Sequence, residues 1–354
     1  MKKHLLSCKL FAHLLLLGAV SLTSCNKTHN PQLPAPQAPV FDHAYTVSTV
    51  TGSGAVGFKD GDAATAQFNM RYGIIIDKLG NIYISDSANN SIRKIAPDGS
   101  VKTLAGSGVI GAANGTGNEA QFYFPQGIAL DATGNVYVAD TFNNQIRKIT
   151  AEGIVSTVAG TGVAGNVDGA GNIAQFNAPS GLAFDVNGNL LISDFNNGTI
   201  RKLTTAGNVK TLTGIARLSG PQGIATDASG NLYVVESGTS LIRKITPLGV
   251  LTTIAGAVGG GFADGPGDKA LFAVPEGITI DAAGNLYVSD LGNNRIRKIT
   301  PEGTVTTVAG GGPGFANGNG PNARFNAPSD VTIDEAGNLY VMDVNNHIIR
   351  RIQY

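Results

Sequence analysis

The sequence of 354 residues contains no tryptophan, and only 6% of its residues are aromatic. The lack of tryptophan disfavours a platform on which sugar rings stack. The core must therefore be built from isoleucine, valine, leucine and alanine. The repeated part of the chain also lacks a sustained apolar period of 3.6 residues, which excludes a helical solenoid.

Cysteine is nearly absent, since Cys8 and Cys25 are the only two. Residues 1–24 are typical of a secretory signal, with Lys2 and Lys3 ahead of an apolar run at 10–20 that is too short for a comfortable transmembrane helix. Residues 22–25, LTSC, resemble the lipobox of bacterial lipoproteins. This resemblance implies a lipid on Cys25 and a place in the cell envelope, at the periplasmic or surface side of the outer membrane. An ordinary cleaved signal is the alternative.

Residues 25–44 are predicted to be a tether that holds the following domain off the membrane. They contain four prolines and almost no apolar periodicity, as in an extended linker. Because Cys8 would leave with the signal and Cys25 would carry the lipid, the mature chain would have no disulfide.

Histidine is also scarce, and the net charge of the chain is close to zero. The chain has 25 basic and 25 acidic residues, and removal of Lys2, Lys3 and Lys9 with the signal leaves 22 against 25. This balance argues against a nucleic-acid partner, which calls for a basic excess. His347 is the only histidine within the repeats, so a histidine-ligated zinc site and a Ser-His-Asp triad are not expected. We predict no catalytic set and no cofactor.

What the sequence has in abundance is a repeated unit, seen at its clearest in residues 275–310. Four short runs, ITI, LYVSD, RIRKI and TVTTVAG, alternate apolar with polar or small residues and are separated by turn residues. That pattern predicts a four-stranded antiparallel meander. Its DxxGN turn recurs at Asp77, Asp131, Asp185, Asp227, Asp281 and Asp334, and its arginine at Arg93, Arg147, Arg201, Arg243, Arg297 and Arg350.

Six such units predict an all-β, six-bladed β-propeller over residues 45–354. The last unit stops after its third strand, and a matching fourth strand lies at about 45–54, ahead of the first unit. We therefore expect the N-terminal strand to complete the C-terminal blade and close the ring.

The repeats resemble those of the NHL family, as in GIALDATGNVYVADTFNNQIRKIT at 127–150 and DVNNHIIR at 343–350. The resemblance implies that the first strands line a central channel. It also implies that the inter-blade insertions and the DxxNN turns share the face on which ligands bind. The family includes protein-binding and RNA-binding modules and relatives of lactonases and lyases, so the resemblance indicates the fold and leaves the function open.

An aspartate ends most second strands, seven residues before the arginine, at Asp86, Asp140, Asp194, Asp290 and Asp343. We expect these carboxylates to pair with the arginine or to cap turn amides, as architecture. The IRKI runs are expected to bury the stems of arginine and lysine and to keep their charged ends in water.

Glycine-rich insertions separate five of the blades and end in Phe68, Phe122, Phe176, Phe272 or Phe325. We interpret them as structural covers that place the phenylalanine on the sheet. Calcium binding by Asp60, Asp62, Asp168, Asp264 and Asp268 is the alternative, since clustered oxygens suit that ion. Residues 211–221 lack the insertion, which predicts a low sector on this face and a notch into the channel.

Function is expected where the repeats differ. Arg71 and Tyr72 stand where other blades have proline and glutamine or serine, Glu276 replaces glutamine or serine, Asp330 replaces glycine and Glu236 replaces the second-strand aspartate. The candidate ligand site at the channel mouth comprises Arg71, Tyr72, Gln126, Gln222, Glu236, Glu276, Asp330 and His347. Neutral variation, and a turn role for His347, are the alternatives.

The sequence thus predicts an extracytoplasmic, membrane-anchored binding or scaffolding propeller. Its partners would be the membrane, through Cys25, and an envelope protein, a glycan or a small molecule. The alternative is a lactonase-like, metal-dependent hydrolase or lyase with a divalent cation at the channel mouth, held by Glu236, Glu276 and Asp330.

Overall fold

The alternating runs fold into six antiparallel sheets, which confirms the prediction of an all-β, six-bladed propeller. The computed structural model describes residues 38–41, 45–212 and 216–354. The predicted signal, Cys25 and most of the predicted tether lie outside the described residues. Within the described ranges, no helix is long and apolar enough to cross a membrane.

Each blade begins at the channel and runs outward. The first strands are Ile74–Ile76, Pro125–Leu130, Pro179–Phe184, Pro221–Thr226, Pro275–Ile280 and Pro328–Ile333. The second strands are Ile82–Asp86, Val136–Asp140, Leu190–Asp194, Leu232–Glu236, Leu286–Asp290 and Leu339–Asp343. The third strands are Ser91–Ile95, Gln145–Ile149, Thr199–Leu203, Leu241–Ile245, Arg295–Ile299 and Ile348–Gln353. The fourth strands are Val101–Ala105, Ile154–Ala159, Asn208–Thr211, Leu251–Ala255, Thr304–Ala309 and, for blade 6, Thr46–Thr51.

Four blades carry a short fifth strand that the sequence did not reveal. The inter-blade insertions supply these strands, which pair with the fourth strands of blades 2, 3, 5 and 6: Gly115–Thr116, Gly169–Ala170, Gly265–Pro266 and Gly318–Asn319. Blade 1 has a single bridge, between Gly61 and Val101, at the same place. Two-residue strands are too short to show an alternating pattern, so only the tertiary structure identifies them.

The ring closes as predicted. Thr46 pairs with Gln353 and Val47 with Ile352, so the first described strand of the repeats completes the last blade. The same strand pairs on its outer side with Gly318–Asn319. The third strand of blade 6 is thus paired on both of its sides.

Local hydrogen bonds explain the turns. In the first DxxGN turn, Asp77 Oδ1 accepts hydrogen bonds from the main-chain N–H groups of Leu79, at 2.9 Å, and Asn81, at 2.8 Å. Gly80 adopts a φ of 80°, which a residue with a side chain rarely tolerates. Short 3-10 turns join second to third strands at Ser87–Asn89, Thr141–Asn143, Leu291–Asn293 and Val344–Asn346, and a fifth 3-10 turn, Gly117–Glu119, lies in an insertion.

The third-strand arginines are fully buried in five blades, so the prediction that their charged ends stay in water is wrong. The Arg201 side chain is 0% exposed, and its Nη1 donates to Asp194 Oδ2 and to the main-chain oxygen of Gln175, both at 2.8 Å. Its Nη2 donates to Asp168 Oδ1, at 2.8 Å, and to the main-chain oxygen of Val167, at 2.9 Å. The partners of this fork lie up to 34 residues away in the chain, beyond the reach of a local pattern.

The insertions are structural covers, as expected. Their phenylalanines are 0% exposed, and each ring lies 4.9–5.3 Å from the guanidinium of the blade's arginine, in the pairs Phe68–Arg93, Phe122–Arg147, Phe176–Arg201, Phe272–Arg297 and Phe325–Arg350. Of the aspartates considered as calcium ligands, Asp60, Asp168 and Asp264 form ion pairs with the arginines instead. Asp62 accepts hydrogen bonds from Thr65, and Asp268 lies beside Lys269.

Blade 4 departs from this plan. Residues 212–220 connect it to blade 3, whereas residues 160–178 connect blade 3 to blade 2. Leu218, three residues before the first strand, takes the place of the phenylalanine and is 4% exposed. It packs with Ile200 of blade 3 and Ile224 of blade 4.

Residues 38–41, within the predicted tether, lie on blade 5. The main-chain N–H of Val40 donates to Asp264 Oδ2 at 2.7 Å, and the N–H of Thr307 donates to the main-chain oxygen of Val40 at 3.0 Å. The end of the predicted tether therefore adds a short extended segment to this blade.

Candidate ligand-binding site at the channel mouth

The first strands line the central channel, as the resemblance implied. A cavity of about 200 Å³ lies between them, and most of its lining is apolar, including Ile128, Leu182 and Ile278. Asp330 and Tyr72 also contact this cavity, near the start of the strands. The channel is therefore a narrow passage with mostly apolar walls, with Tyr72 and Asp330 near one end and Thr226, Thr279 and Thr332 toward the other.

A wider cavity, of about 500 Å³, opens at that end and defines the channel mouth. Side chains from five blades line it: Arg71, Phe124, Gln126, Thr141, Phe142, Ala178, Phe195, Asn196, Gln222, Ser237, Val274 and Glu276. The size suits a small organic ligand. Of the sequence-predicted residues, Arg71, Gln126, Gln222 and Glu276 meet here.

Glu276 is the buried acid of the mouth. Its side chain is 5% exposed, and its Oε1 lies 4.0 Å from Nη2 of Arg71, whose side chain is 59% exposed. Its Oε2 has no hydrogen-bond partner among the residues that the structure describes. Burial raises the pKa of Glu276 to about 7, against the opposing effect of the Arg71 charge. Near neutral pH this carboxyl can therefore either donate or accept a hydrogen bond.

Asp330 lies just below, at the entrance to the channel. Its Oδ2 accepts a hydrogen bond from the main-chain N–H of Ile74 at 3.0 Å, which joins blade 6 to blade 1. Burial raises its pKa to about 7, and the charge of Glu276 adds to the effect. A Cβ on Gly277 would lie only 2.7 Å from the Cα of Asp330, so this glycine permits the close approach of blades 5 and 6.

Tyr72 is buried against the same two acids. It is 3% exposed, and burial together with the charges of Asp330 and Glu276 raises the pKa of its hydroxyl well above the ordinary value. The phenol therefore stays protonated across the physiological range. Tyr72, Glu276 and Asp330 form one buried acidic cluster, with Arg71 at its exposed end.

An aromatic wall lines the same mouth, and sequence reasoning missed it. The rings of Phe124 and Phe142 stack with 5.0 Å between centroids and 14° between planes, and Tyr123 meets Phe142 edge-on at 5.1 Å. Phe195 lines the mouth on the next blade. The available signal was an aromatic residue at 142, where other repeats have alanine, glycine or asparagine.

Tyr72 and Asp330 line the channel cavity below the mouth, and two further candidates, Glu236 and His347, line neither cavity. Glu236 Oε1 accepts a hydrogen bond from Arg243 Nη1 at 2.8 Å, and its Oε2 accepts one from Thr239 at 2.7 Å. It thus acts as the blade-4 counterpart of the second-strand aspartates. His347 adopts a φ of 54° at the end of a 3-10 turn, the position that Asn90, Asn144 and Asn294 occupy in other blades.

The described residues do not form a preorganised metal site. Within the described ranges, no group of three or more histidine, cysteine, aspartate or glutamate side chains is placed to hold an ion. Of the three predicted cation donors, Glu276 and Asp330 lie close together and Glu236 is bound to Arg243.

Comparisons with known proteins support the repeat assignment. The model of the NHL repeat matches residues 176–203 and 272–299, and the model of the Teneurin NHL domain matches residues 110–168. The chain thus carries NHL repeats on a six-bladed propeller. Protein SUPPRESSOR OF QUENCHING 1, chloroplastic, of Arabidopsis thaliana is 30% identical over 314 residues, which cover 86% of this chain and 27% of that protein. The chain spans less than half the length of the curated relatives that it matches.

Solved structures share the fold at low sequence identity. An auxiliary nutrient binding protein from Bacteroides thetaiotaomicron aligns with a TM-score of 0.70 and 21% identity, over 88% of this chain and 77% of that one. A gluconolactonase from Xanthomonas campestris aligns with a TM-score of 0.59 and 15% identity, over 91% of this chain and 98% of that one. At these identities the likeness indicates the fold alone.

Proposed function

We propose that this NHL-repeat propeller is a lipid-anchored binding module of the cell envelope, with its ligand site in the channel mouth. One observation carries the proposal: the mouth joins an aromatic wall to a buried acidic cluster within one cavity of about 500 Å³. A nutrient-binding protein with the same fold is consistent with a binding role. The propeller itself would be the scaffold that holds the two halves of the site.

The chemistry of the mouth favours a small amphipathic molecule. The faces of Phe142 and Phe124 offer a flat apolar surface against which a ring can lie. In the same cavity, Arg71 offers donors, and Glu276 offers a carboxyl that burial keeps near its titration point. A ligand with a ring or apolar face on one side and hydroxyl or charged groups on the other fits both.

Binding can be tested with the full-length protein in detergent. Thermal-shift screening against sugars, amino acids and nucleosides would identify candidates, and calorimetry would give affinities for the hits. We expect Phe142→Ala and Arg71→Gln each to weaken binding about 10-fold or more, since each removes one side of the site. Leu79→Ala, at a residue 80% exposed in a DxxGN turn, is the matched control. Affinity unchanged in both mouth variants would refute a ligand site there.

The anchor can be tested separately. We expect the protein to incorporate labelled palmitate and to fractionate with the outer membrane, and we expect Cys25→Ser to abolish both. Cys8→Ser is the control, because Cys8 would be removed with the signal. Abundant cytoplasmic protein with Cys25 unmodified would overturn the proposed localisation while leaving the mouth site intact.

A hydrolase or lyase of the lactonase-like kind is the second candidate function. Glu276 and Asp330, each with a pKa raised to about 7, are suited to proton transfer near neutral pH. The gluconolactonase with the same fold adds weak support. If the protein is such an enzyme, Glu276 and Asp330 would bind the divalent cation.

Metal titration separates the two functions. Elemental analysis and calorimetry of protein purified without chelator would detect a stoichiometric site tighter than about 10 μM, roughly −7 kcal/mol. If the enzyme interpretation holds, Glu276→Gln and Asp330→Asn should each abolish that binding, and Glu335→Gln, at an exposed carboxylate, should not. Protein that binds no divalent ion would leave the binding module as the proposed function.

A further inference from the structure

The junction between blades 3 and 4 lacks an insertion and contains an enlarged cavity. A cavity of about 730 Å³ lies between Lys210 and Thr211 of blade 3 and the turn that includes Thr246 and Leu248 of blade 4. At the junction of blades 1 and 2, Gly117 of the insertion donates a main-chain hydrogen bond to the corresponding turn, at the oxygen of Gly153. The equivalent cavity at the junction of blades 2 and 3, where an insertion is present, measures about 340 Å³. The cavity is therefore about twice as large where the insertion is missing.

The outer strand of blade 4 is an uncovered edge. Leu251–Ala255 has no fifth strand beside it among the described residues, whereas the insertions cover the equivalent strands of blades 2, 3, 5 and 6. The strand contains no proline and no charged residue, the usual devices that protect an edge. Thr252 and Thr253 are exposed along it.

The guanidinium of Arg243, beside this edge, has fewer hydrogen-bond partners among the described residues than its counterpart in blade 3. Arg243 pairs with Glu236 alone in the part of the chain that the structure describes, and its side chain is 18% exposed against 0% for Arg201. In blade 3, Asp168 of the insertion binds Arg201 and also accepts hydrogen bonds from the N–H and hydroxyl of Thr211, at 3.0 and 2.9 Å. Thr253 and Arg243 occupy the same register in blade 4 and have no such carboxylate among the described residues.

We propose that a partner protein completes blade 4 from outside, with an extended segment that adds a fifth strand along Leu251–Ala255 and places an aspartate or asparagine on Arg243 and Thr253. The insertions of the other blades define the chemistry of this segment: Asp or Asn followed by Gly supplies the side-chain oxygen and the short strand, as Asp168, Gly169 and Ala170 do in blade 3. This is β-strand addition, with main-chain hydrogen bonds for affinity and one charge pair for register.

A second copy of this chain is a poorer occupant of the edge. Two Leu251–Ala255 strands paired with each other would bring together leucine, threonine, isoleucine and alanine only. The strand of the second copy would bring no carboxylate to Arg243 beyond its own Glu236. The Arg243 guanidinium therefore favours a different protein with an acidic or amide side chain.

The experiment uses a labelled peptide with the sequence of residues 162–178, the insertion that precedes blade 3, and the full-length protein in detergent. Fluorescence anisotropy should show saturable binding that weakens at least 10-fold when the peptide carries Asp168→Ala. On the protein, Thr253→Pro removes an outward main-chain donor, and Arg243→Lys replaces the fork with a single point of charge. Each should weaken binding of the unaltered peptide at least 10-fold.

Two controls test whether a loss of binding is specific to the arginine and whether the variant remains folded. Lys244→Ala, next to the fork on the partly exposed side of the strand, should bind the peptide like the parent protein. The melting temperature of Thr253→Pro must lie within a few degrees of that of the parent protein. If Thr253→Pro fails to fold, the effect of Arg243→Lys on peptide binding tests the proposal.

Three results would overturn the proposal. One is the absence of saturable binding by the unaltered peptide. Another is binding that both protein variants leave unchanged, which would place the peptide elsewhere. The third is a dimer of the free protein that Thr253→Pro dissociates, because the edge would then be an interface between copies.

Discussion

Blades 3 and 4 carry the same third-strand arginine in different surroundings. Arg201 is enclosed by Asp194, by Asp168 and by two main-chain carbonyls, and its side chain is 0% exposed. Arg243 pairs with Glu236 alone among the described residues and is 18% exposed. The two strands differ little, so the insertion determines whether the arginine becomes a core residue. A repeated residue thus has a repeated role only where its distant partners repeat with it.

We expect the largest difference in stability between the variants Arg201→Ala and Arg243→Ala. Removal of Arg201 leaves Asp194 buried without its counter-charge and two carbonyls without a donor, so we expect a loss of about 3–5 kcal/mol in the free energy of unfolding. Arg243→Ala should cost less than half as much, because Arg243 is partly exposed and has one partner. Urea unfolding of both variants, with Lys202→Ala as the control, measures the difference. Equal losses would show that the insertion adds nothing to the arginine.

The acidic cluster provides a second contrast, because blade 6 has Asp330 at a position where the other five blades have glycine. Because the pKa of Glu276 rises from 4.5 to about 7, the folded protein holds a proton that the unfolded chain has released. The free energy of unfolding should therefore fall as pH rises from about 4.5 to 7, and the loss should be complete above the folded pKa. Glu276→Gln should raise stability at pH 8 by about 3 kcal/mol and change it little at pH 4.

Unfolding at several pH values checks this prediction. The exposed Glu335 supplies the control, as Glu335→Gln should preserve the slope. Asp330 contributes to the same slope, so Glu276→Gln with Asp330→Asn should flatten it further. A slope that persists in the double variant would mean that neither carboxyl is protonated in the folded state at neutral pH.

The exchange of Phe176 for leucine makes blade 3 resemble blade 4 at one position. Phe176 is 0% exposed and lies 5.1 Å from the Arg201 guanidinium, whereas Leu218 takes this position in blade 4. We expect Phe176→Leu to lower the free energy of unfolding by about 1–2 kcal/mol, through lost packing and a lost cation–π contact. Thermal unfolding would show the loss, with Leu79→Ala as the control. A stability like that of the parent would indicate that the insertion holds the arginine without the aromatic ring.

The smallest contrast concerns a threonine of the fourth strands. Thr211→Val removes the hydroxyl that donates to Asp168 at 2.9 Å, and we expect a loss of about 1 kcal/mol. Thr253→Val should change stability by less than about 0.5 kcal/mol, because Thr253 is exposed in blade 4. Parallel denaturant curves would resolve the two. A larger loss for Thr253→Val would reveal a partner for that hydroxyl and contradict the uncovered edge.

The fold could be predicted from sequence because its signals are local. Alternating residues give the strands, Asp77 and Gly80 illustrate the turn chemistry, and the fourth strand missing from the last repeat stands at 46–51. The buried arginine forks could not be predicted, because the partners of Arg201 come from Gln175 and Val167, in a different segment. Burial of a charge depends on tertiary contacts that no short pattern contains.

The candidate site was predictable only where it breaks the repeat. Glu276 and Asp330 were found as departures from a repeated glutamine, serine or glycine, and the structure places them together. Phe124 was overlooked, because its role depends on Phe142, which stacks on it from the next turn of the same blade. Glu236 is also a departure, yet it keeps the structural role of the residue it replaces.

The pairing of Thr46 with Gln353 in blade 6 sets the order in which the molecule can mature. Thr46 is synthesised some 300 residues before Gln353. Blade 6 therefore cannot be completed until Gln353 has been synthesised, and closure of so long a loop makes this pairing a late event. Until then, the strand Thr46–Thr51 has no third strand of blade 6 to pair with and is exposed to neighbouring chains. A variant that ends before Ile352 would lose the partners of Thr46 and Val47 and leave the ring open.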